Sequence, residues 1–162
     1  MRYILKQKLF SLGDDFYIKD ENERDVFFVD GKFLSIGDQL SFQDLQGAEL
    51  AFIRQKILAW GRTYELFRNG ELVAVVKKEL FAPFHHTFYV DVPGPDDLKA
   101  EGNFLDREYT FTRRDSVVAT VSKQWFTLAD TYGIDITDGE DDILLASAVV
   151  VDMSCHGDGK RR

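Results

Sequence analysis

One cysteine, three prolines and three histidines are spread over 162 residues, and each scarcity closes off a class of protein. Cys155 has no partner for an intrachain disulfide, so the chain is no disulfide-stapled scaffold; its thiol suits a reducing compartment, and a cytoplasmic location is expected. The longest apolar run, Ile143 to Val151, is broken by Ser147. As a helix it would reach about 14 Å at ~1.5 Å per residue, against about 30 Å of bilayer hydrocarbon. No transmembrane segment is expected. The opening residues, Met1-Arg2-Tyr3-Ile4-Leu5-Lys6, form no apolar signal core, so a secretory signal is not expected either. Positive charge is outnumbered, 20 Lys and Arg against 28 Asp and Glu, for a net charge of −8. That balance excludes generic nucleic-acid binding, which draws its affinity from a basic surface. It leaves room for a local basic patch. No Gly-x-Ser-x-Gly elbow occurs, and the histidines form no evident convergent site. Enzymatic activity is disfavoured, and neither a metal nor a cofactor is expected.

Aromatic residues, by contrast, are abundant, with 14 phenylalanines. Together with the few prolines they favour strands, where aromatic and β-branched side chains pack on a pleated surface. Alternation of apolar and polar residues runs to about residue 136. Leu40 and Phe42 alternate with Gln39, Ser41 and Gln43; Tyr109 and Phe111 alternate with Glu108, Thr110 and Thr112. This period of two is that of strands with one buried face.

The chain also repeats itself. Arg62 to Lys78 aligns without a gap on Arg107 to Lys123, and after one residue of slip Phe88 to Val92 aligns on Tyr132 to Ile136. A looser copy runs from Leu40 to Lys56, and Phe16 to Asp30 is a candidate fourth. Each copy reads as strand, tight turn, strand; Asn69-Gly70 is a strong hairpin signal because both turn positions want positive φ. Shared alternation would account for part of the match, but not for a gapless run ending in Lys78 and Lys123. Repeated hairpins point to an antiparallel meander closed into a barrel or stacked as a sandwich.

One helix is expected, last in the chain. Thr137 and Glu140 have capping-box spacing, and Glu140, Asp141 and Asp142 set negative charge at the positive end of the helix dipole. From Ile143 to Met153 apolar residues face every direction, interrupted only by Ser147 and Asp152. A helix apolar on all sides must be buried on all sides. The segment from Glu140 to Cys155 makes a rod of about 24 Å, close to the reach of a seven-residue strand at ~3.3 Å per residue. A sheet curled around that rod buries its own inner face and the helix together. The expected fold is therefore mainly β, a closed antiparallel barrel around a central apolar C-terminal helix. It forms one domain over residues 1–156, with 157–162 as a flexible tail.

In this order, the hairpins, Asp130-Thr131-Tyr132-Gly133-Ile134-Asp135-Ile136 and the acidic-capped helix resemble the LURP-one-related family of the tubby C-terminal-like superfamily. Further matching pieces are Asp44-Leu45-Gln46-Gly47 with Ile53 and Lys56, Gly102-Asn103-Phe104 before Tyr109, and Val121-Ser122-Lys123. The resemblance extends from Tyr3 to about Asp152. It implies a barrel of twelve strands threaded by the helix. It carries no settled activity and no site residue that can be transferred position by position. Tubby domains bind phosphoinositide head groups, an analogy at the level of fold alone.

Several side-chain groups invite a functional reading. His85 and His86 are adjacent, so on a strand they would point to opposite faces and could not share a metal. The acidic group from Asp135 to Asp142 does not have the ligand spacing of a calcium loop, and helix capping accounts for it. Gly157-Asp158-Gly159-Lys160 has no flanking strand and helix to make a phosphate loop. Cys155, at the end of a buried helix, reads as inert packing. Val73, Val75 and Val118 fall on the outward parity of the repeat, where they would either favour strand or mark a partner surface. The basic strand ends are the remaining candidates. If the hairpins are equivalent, Lys56, Lys78 and Lys123 occupy one place in three copies, with Arg54, Lys77 and Arg62 close by in sequence. Gathered at one rim, they would form an anion site for a lipid head group or an acidic protein partner. As scattered charges they would simply keep strand ends from pairing. The expected function is non-catalytic binding, with the ligand undetermined.

Overall fold

In a computed structural model, residues 1–6, 15–33, 38–58, 61–79, 87–127, 131–139 and 141–156 are described. The strands are β1 (Arg2–Lys6), β2 (Phe16–Asp20), β3 (Asp25–Phe33), β4 (Asp38–Asp44), β5 (Glu49–Leu58), β6 (Gly61–Arg68), β7 (Glu71–Lys78), β8 (Thr87–Asp91), β9 (Leu98–Asn103), β10 (Glu108–Arg113), β11 (Ser116–Ser122) and β12 (Thr131–Ile136). Among the described residues one helix, α1 (Asp141–His156), follows them. Each strand pairs antiparallel with its neighbours in sequence, and β1 pairs with β12 to close the barrel. Among the described residues no strand lacks a neighbour on either side, so the ladder they form has no open edge at which another chain could add.

The repeated hairpins are real and share a defect. In β6–β7 the register shifts between Leu66 and Phe67, in β10–β11 between Phe111 and Thr112, and in β4–β5 between Phe42 and Gln43. The β2–β3 hairpin shifts at the corresponding place, between Ile18 and Lys19. One bulge per hairpin sharpens the local twist. Four such bends help curl the sheet until its ends meet. Asn69 and Gly70 both have positive φ, 50° and 79°, as the Asn-Gly turn requires.

The inner face and the helix form one core. Tyr64 and Leu66, Ala74 and Val76, Tyr109 and Phe111, Ala119 and Val121 point inward, and every residue of α1 from Ile143 to Val151 is buried. Each large side chain so placed contributes on the order of 1.5–3 kcal/mol. Gly133 is a packing necessity. A methyl group there would stand 2.9 Å from the ring of Phe126, which with Trp125 folds back over the outside of β12.

Two local expectations are corrected. Thr137 does not cap the helix: its hydroxyl donates to the carbonyl of Val118 at 3.2 Å, and its amide donates to the same carbonyl at 2.9 Å. The chain is still bound to β11 at that point and turns only at Gly139, whose φ is +118°. Asp141 and Asp142 do stand in the first turn, as expected; Glu140 lies outside the described residues. Val118 is buried rather than outward. The start of the β12–α1 connection binds its carbonyl through the amides of Thr137 and Asp138, while Val117 takes the exposed position.

Candidate functional site

The barrel has two chemically different ends. At the end holding the helix N-terminus, Tyr3 of β1 donates its hydroxyl to Asp141 at 2.6 Å, and Arg68 of β6 pairs with Asp142 at 2.6 Å. The opposite end holds the helix C-terminus. It is reached by the C-termini of odd-numbered strands and the N-termini of even-numbered ones. Lys56, Arg62, Lys78 and Lys123 all belong to that second end, brought there by strand direction alone.

Pairing divides them by face. Val76 sits opposite Tyr64 and Val121 opposite Tyr109, so Lys78 and Lys123 hold equivalent positions, two residues beyond inward-facing valines. Both are half-buried, and neither has an ion-pair partner among the described residues. In the β4–β5 hairpin Ile53 sits opposite Leu40, which makes Gln55 the equivalent of the two lysines. Lys56 is on the other face of β5, exposed, and does not share their place. Arg54 and Lys77 also face outward, each tied to a carboxylate. Arg54 pairs with Glu65 at 3.3 Å, its guanidinium over the Phe67 ring, and Lys77 pairs with Asp91 at 2.9 Å. Arg62 is the second residue of β6, and its side chain is outside the described residues. His85, His86 and the segment 157–162 are likewise outside them. Among the described residues no three His, Cys, Asp or Glu side chains stand together as a metal site, and no helix is long and apolar enough to cross a membrane.

Beneath this end lies a buried charge pair that sequence reading missed. Arg107 and Asp152 are 1% and 3% exposed, and Arg107 Nε donates to Asp152 Oδ1 at 2.7 Å. A second guanidinium nitrogen reaches Oδ2 at 3.4 Å, as does the hydroxyl of Tyr132. The Tyr132 ring lies 5.1 Å from the guanidinium carbon. Burial, with the charge of Asp152 added to it, pushes the phenols of Tyr132 and Tyr109 well above the usual range, and Arg107 opposes that shift. The pair ties the last turn of α1 to the start of β10 and sets a cation at the negative end of the helix dipole. A buried carboxylate that is already bonded by a guanidinium is built to hold, not to react. Its signal was visible: Asp152 interrupts an otherwise apolar helix, and a charge buried there demands a cation.

The comparisons agree with this architecture. The family model for LURP-one-related proteins matches residues 1–152. "Uncharacterized protein YxjI" of Bacillus subtilis (strain 168) is 34% identical over 156 residues, 95% of this chain and 93% of that protein. The X-ray structure of a protein from Arabidopsis thaliana superposes with a TM-score of 0.63 at 17% identity, covering 93% of this chain and 88% of the other. At that identity the likeness concerns the fold alone. Twelve strands closed on a C-terminal helix, matched over nearly their whole length by that family model, place the chain in the LURP-one-related family.

Proposed function

We propose that this chain is a non-catalytic binding domain that receives an anionic group at the helix C-terminal end of its barrel, through Lys78 and Lys123. One observation carries the reading. Two half-buried lysines stand at equivalent places in two hairpins, on the inward parity, with neither ammonium group in an ion pair among the described residues of an acidic protein; the Glu108 carboxylate beside Lys123 accepts its backbone amide at 2.8 Å. The helix occupies the barrel interior, so a ligand is met at an end or on the outer wall. A phospholipid head group suits this end better than an acidic protein, because half-buried lysines favour a small anion that reaches in. The tubby-domain analogy supports the same class, and a lone cysteine suits a cytoplasmic site of action.

Vesicle flotation tests it. The full chain should float at low ionic strength with vesicles containing a phosphoinositide, and less so as salt rises. The double reversal Lys78→Glu/Lys123→Glu should abolish flotation, while Lys56→Glu, on the other face, should leave most of it. No flotation at low salt, or flotation indifferent to the double reversal, removes the lipid reading.

A further inference from the structure

The opposite end of the barrel carries a pocket of about 380 Å³ beside the start of α1. This lies within the size range of small-molecule sites, ~300–1,000 Å³. Val73, Val92, Leu98 and Leu144 supply apolar walls, and Arg68 and Arg113 supply guanidinium groups. The charges there are unevenly committed. Arg68 is taken by Asp142 at 2.6 Å, and Asp96 is taken by Arg114 at 2.9 Å. Arg113 alone has no carboxylate within ion-pair distance among the described residues. Among the described residues its side chain makes one hydrogen bond, a long one, 3.4 Å from Nε to the backbone carbonyl of Asp96. In a protein with 28 acidic and 20 basic side chains, a half-buried arginine left over is not a consequence of short supply. Gly139 completes the wall. A Cβ there would stand 3.1 Å from an Arg113 nitrogen and 3.2 Å from Leu144 Cδ1, so glycine keeps backbone and guanidinium in close contact.

We infer that this pocket binds a small apolar molecule bearing one carboxylate, which Arg113 engages through its planar fork. The rim carboxylates select the charge. With Asp96 and Asp142 beside the guanidinium groups, a monoanion finds one uncommitted cation, whereas a dianionic phosphate meets two negative neighbours. The apolar walls take the body of the ligand. The site is separate from the lysine end, is reached from the other mouth of the barrel, and stands whether or not vesicles bind.

Titration of the full chain with hexanoate, followed by the amide resonances of Gly139 and Leu144, tests the inference. Saturable shifts are expected, with hexanol ineffective for want of charge and hexyl phosphate weaker than hexanoate. Arg113→Gln should weaken hexanoate by about tenfold or more, the loss of a charge-assisted hydrogen bond. Val73→Phe, which narrows the apolar side and leaves Arg113 in place, should remove the same shifts. Lys78→Glu/Lys123→Glu should leave them unchanged. The absence of saturable shifts, hexanoate binding unaltered in Arg113→Gln, or equal response to hexanol each overturns it.

Discussion

Asp152 and Arg107 show how a single residue's burial dictates its partner. A carboxylate in an apolar helix would be expelled or neutralised unless a cation were delivered to it, and the turn before β10 delivers one with φ at +53°. The pair is weak evidence of net stabilisation but strong evidence of mutual dependence. Asp152→Ala takes the carboxylate from a buried guanidinium and should cost about 3–5 kcal/mol by urea denaturation, whereas Arg107→Met/Asp152→Leu should stay close to the parent. A single-variant loss within about 1 kcal/mol, the range of an exposed pair, would contradict this. The neighbouring tyrosines set an alkaline limit. A phenol raised in the fold contributes fully below the unfolded value near 10, and that contribution is lost as pH climbs toward the folded value. The Tyr109 hydroxyl is buried without a hydrogen-bond partner among the described residues. Tyr109→Phe should therefore be as stable as the parent at neutral pH and decline less steeply above about pH 10. An unchanged alkaline slope would exclude Tyr109 as a contributor.

Hairpins were legible as elements because their inward residues recur at fixed spacing. Tyr64, Leu66, Ala74 and Val76 correspond to Tyr109, Phe111, Ala119 and Val121, and the structure pairs them identically. The shared bulge was not legible, since one extra residue leaves the apolar pattern almost intact. Lys56 was misassigned for a related reason. The β4–β5 turn holds three residues, Leu45 to Gly47, between Asp44 and Ala48, whose backbones still pair (Asp44 amide to Ala48 carbonyl, 2.9 Å); Asp44 Oδ1 accepts from the amides of Gln46 and Ala48, and the turn is one residue longer than Asn69-Gly70. A one-residue difference across a hairpin moves a side chain to the opposite face. The helix was legible from its uniform apolarity. Its cap was not, because Thr137 is claimed by a strand carbonyl that sequence cannot see. Of the candidate site, strand direction alone brings the basic residues to one end; their division between faces, and the Arg113 pocket, depend on pairing and loop placement that no local pattern encodes.

At the scale of the whole molecule, a barrel closed on a helix has its interior occupied, and its two mouths differ in chemistry. One presents Lys78 and Lys123; the other presents Arg113 among apolar side chains. All of this requires α1 to be an internal plug, around which the bulged hairpins close. Val150 is fully buried at the middle of that contact. Aspartate in its place would lack a cation, at a cost of several kcal/mol after relaxation, a large share of the ~5–15 kcal/mol that holds a domain together. Thermal unfolding of Val150→Asp is the most direct measurement. Loss of the cooperative transition is the result required by a helix at the core; a compact variant melting with the parent would mean the helix lies outside the barrel.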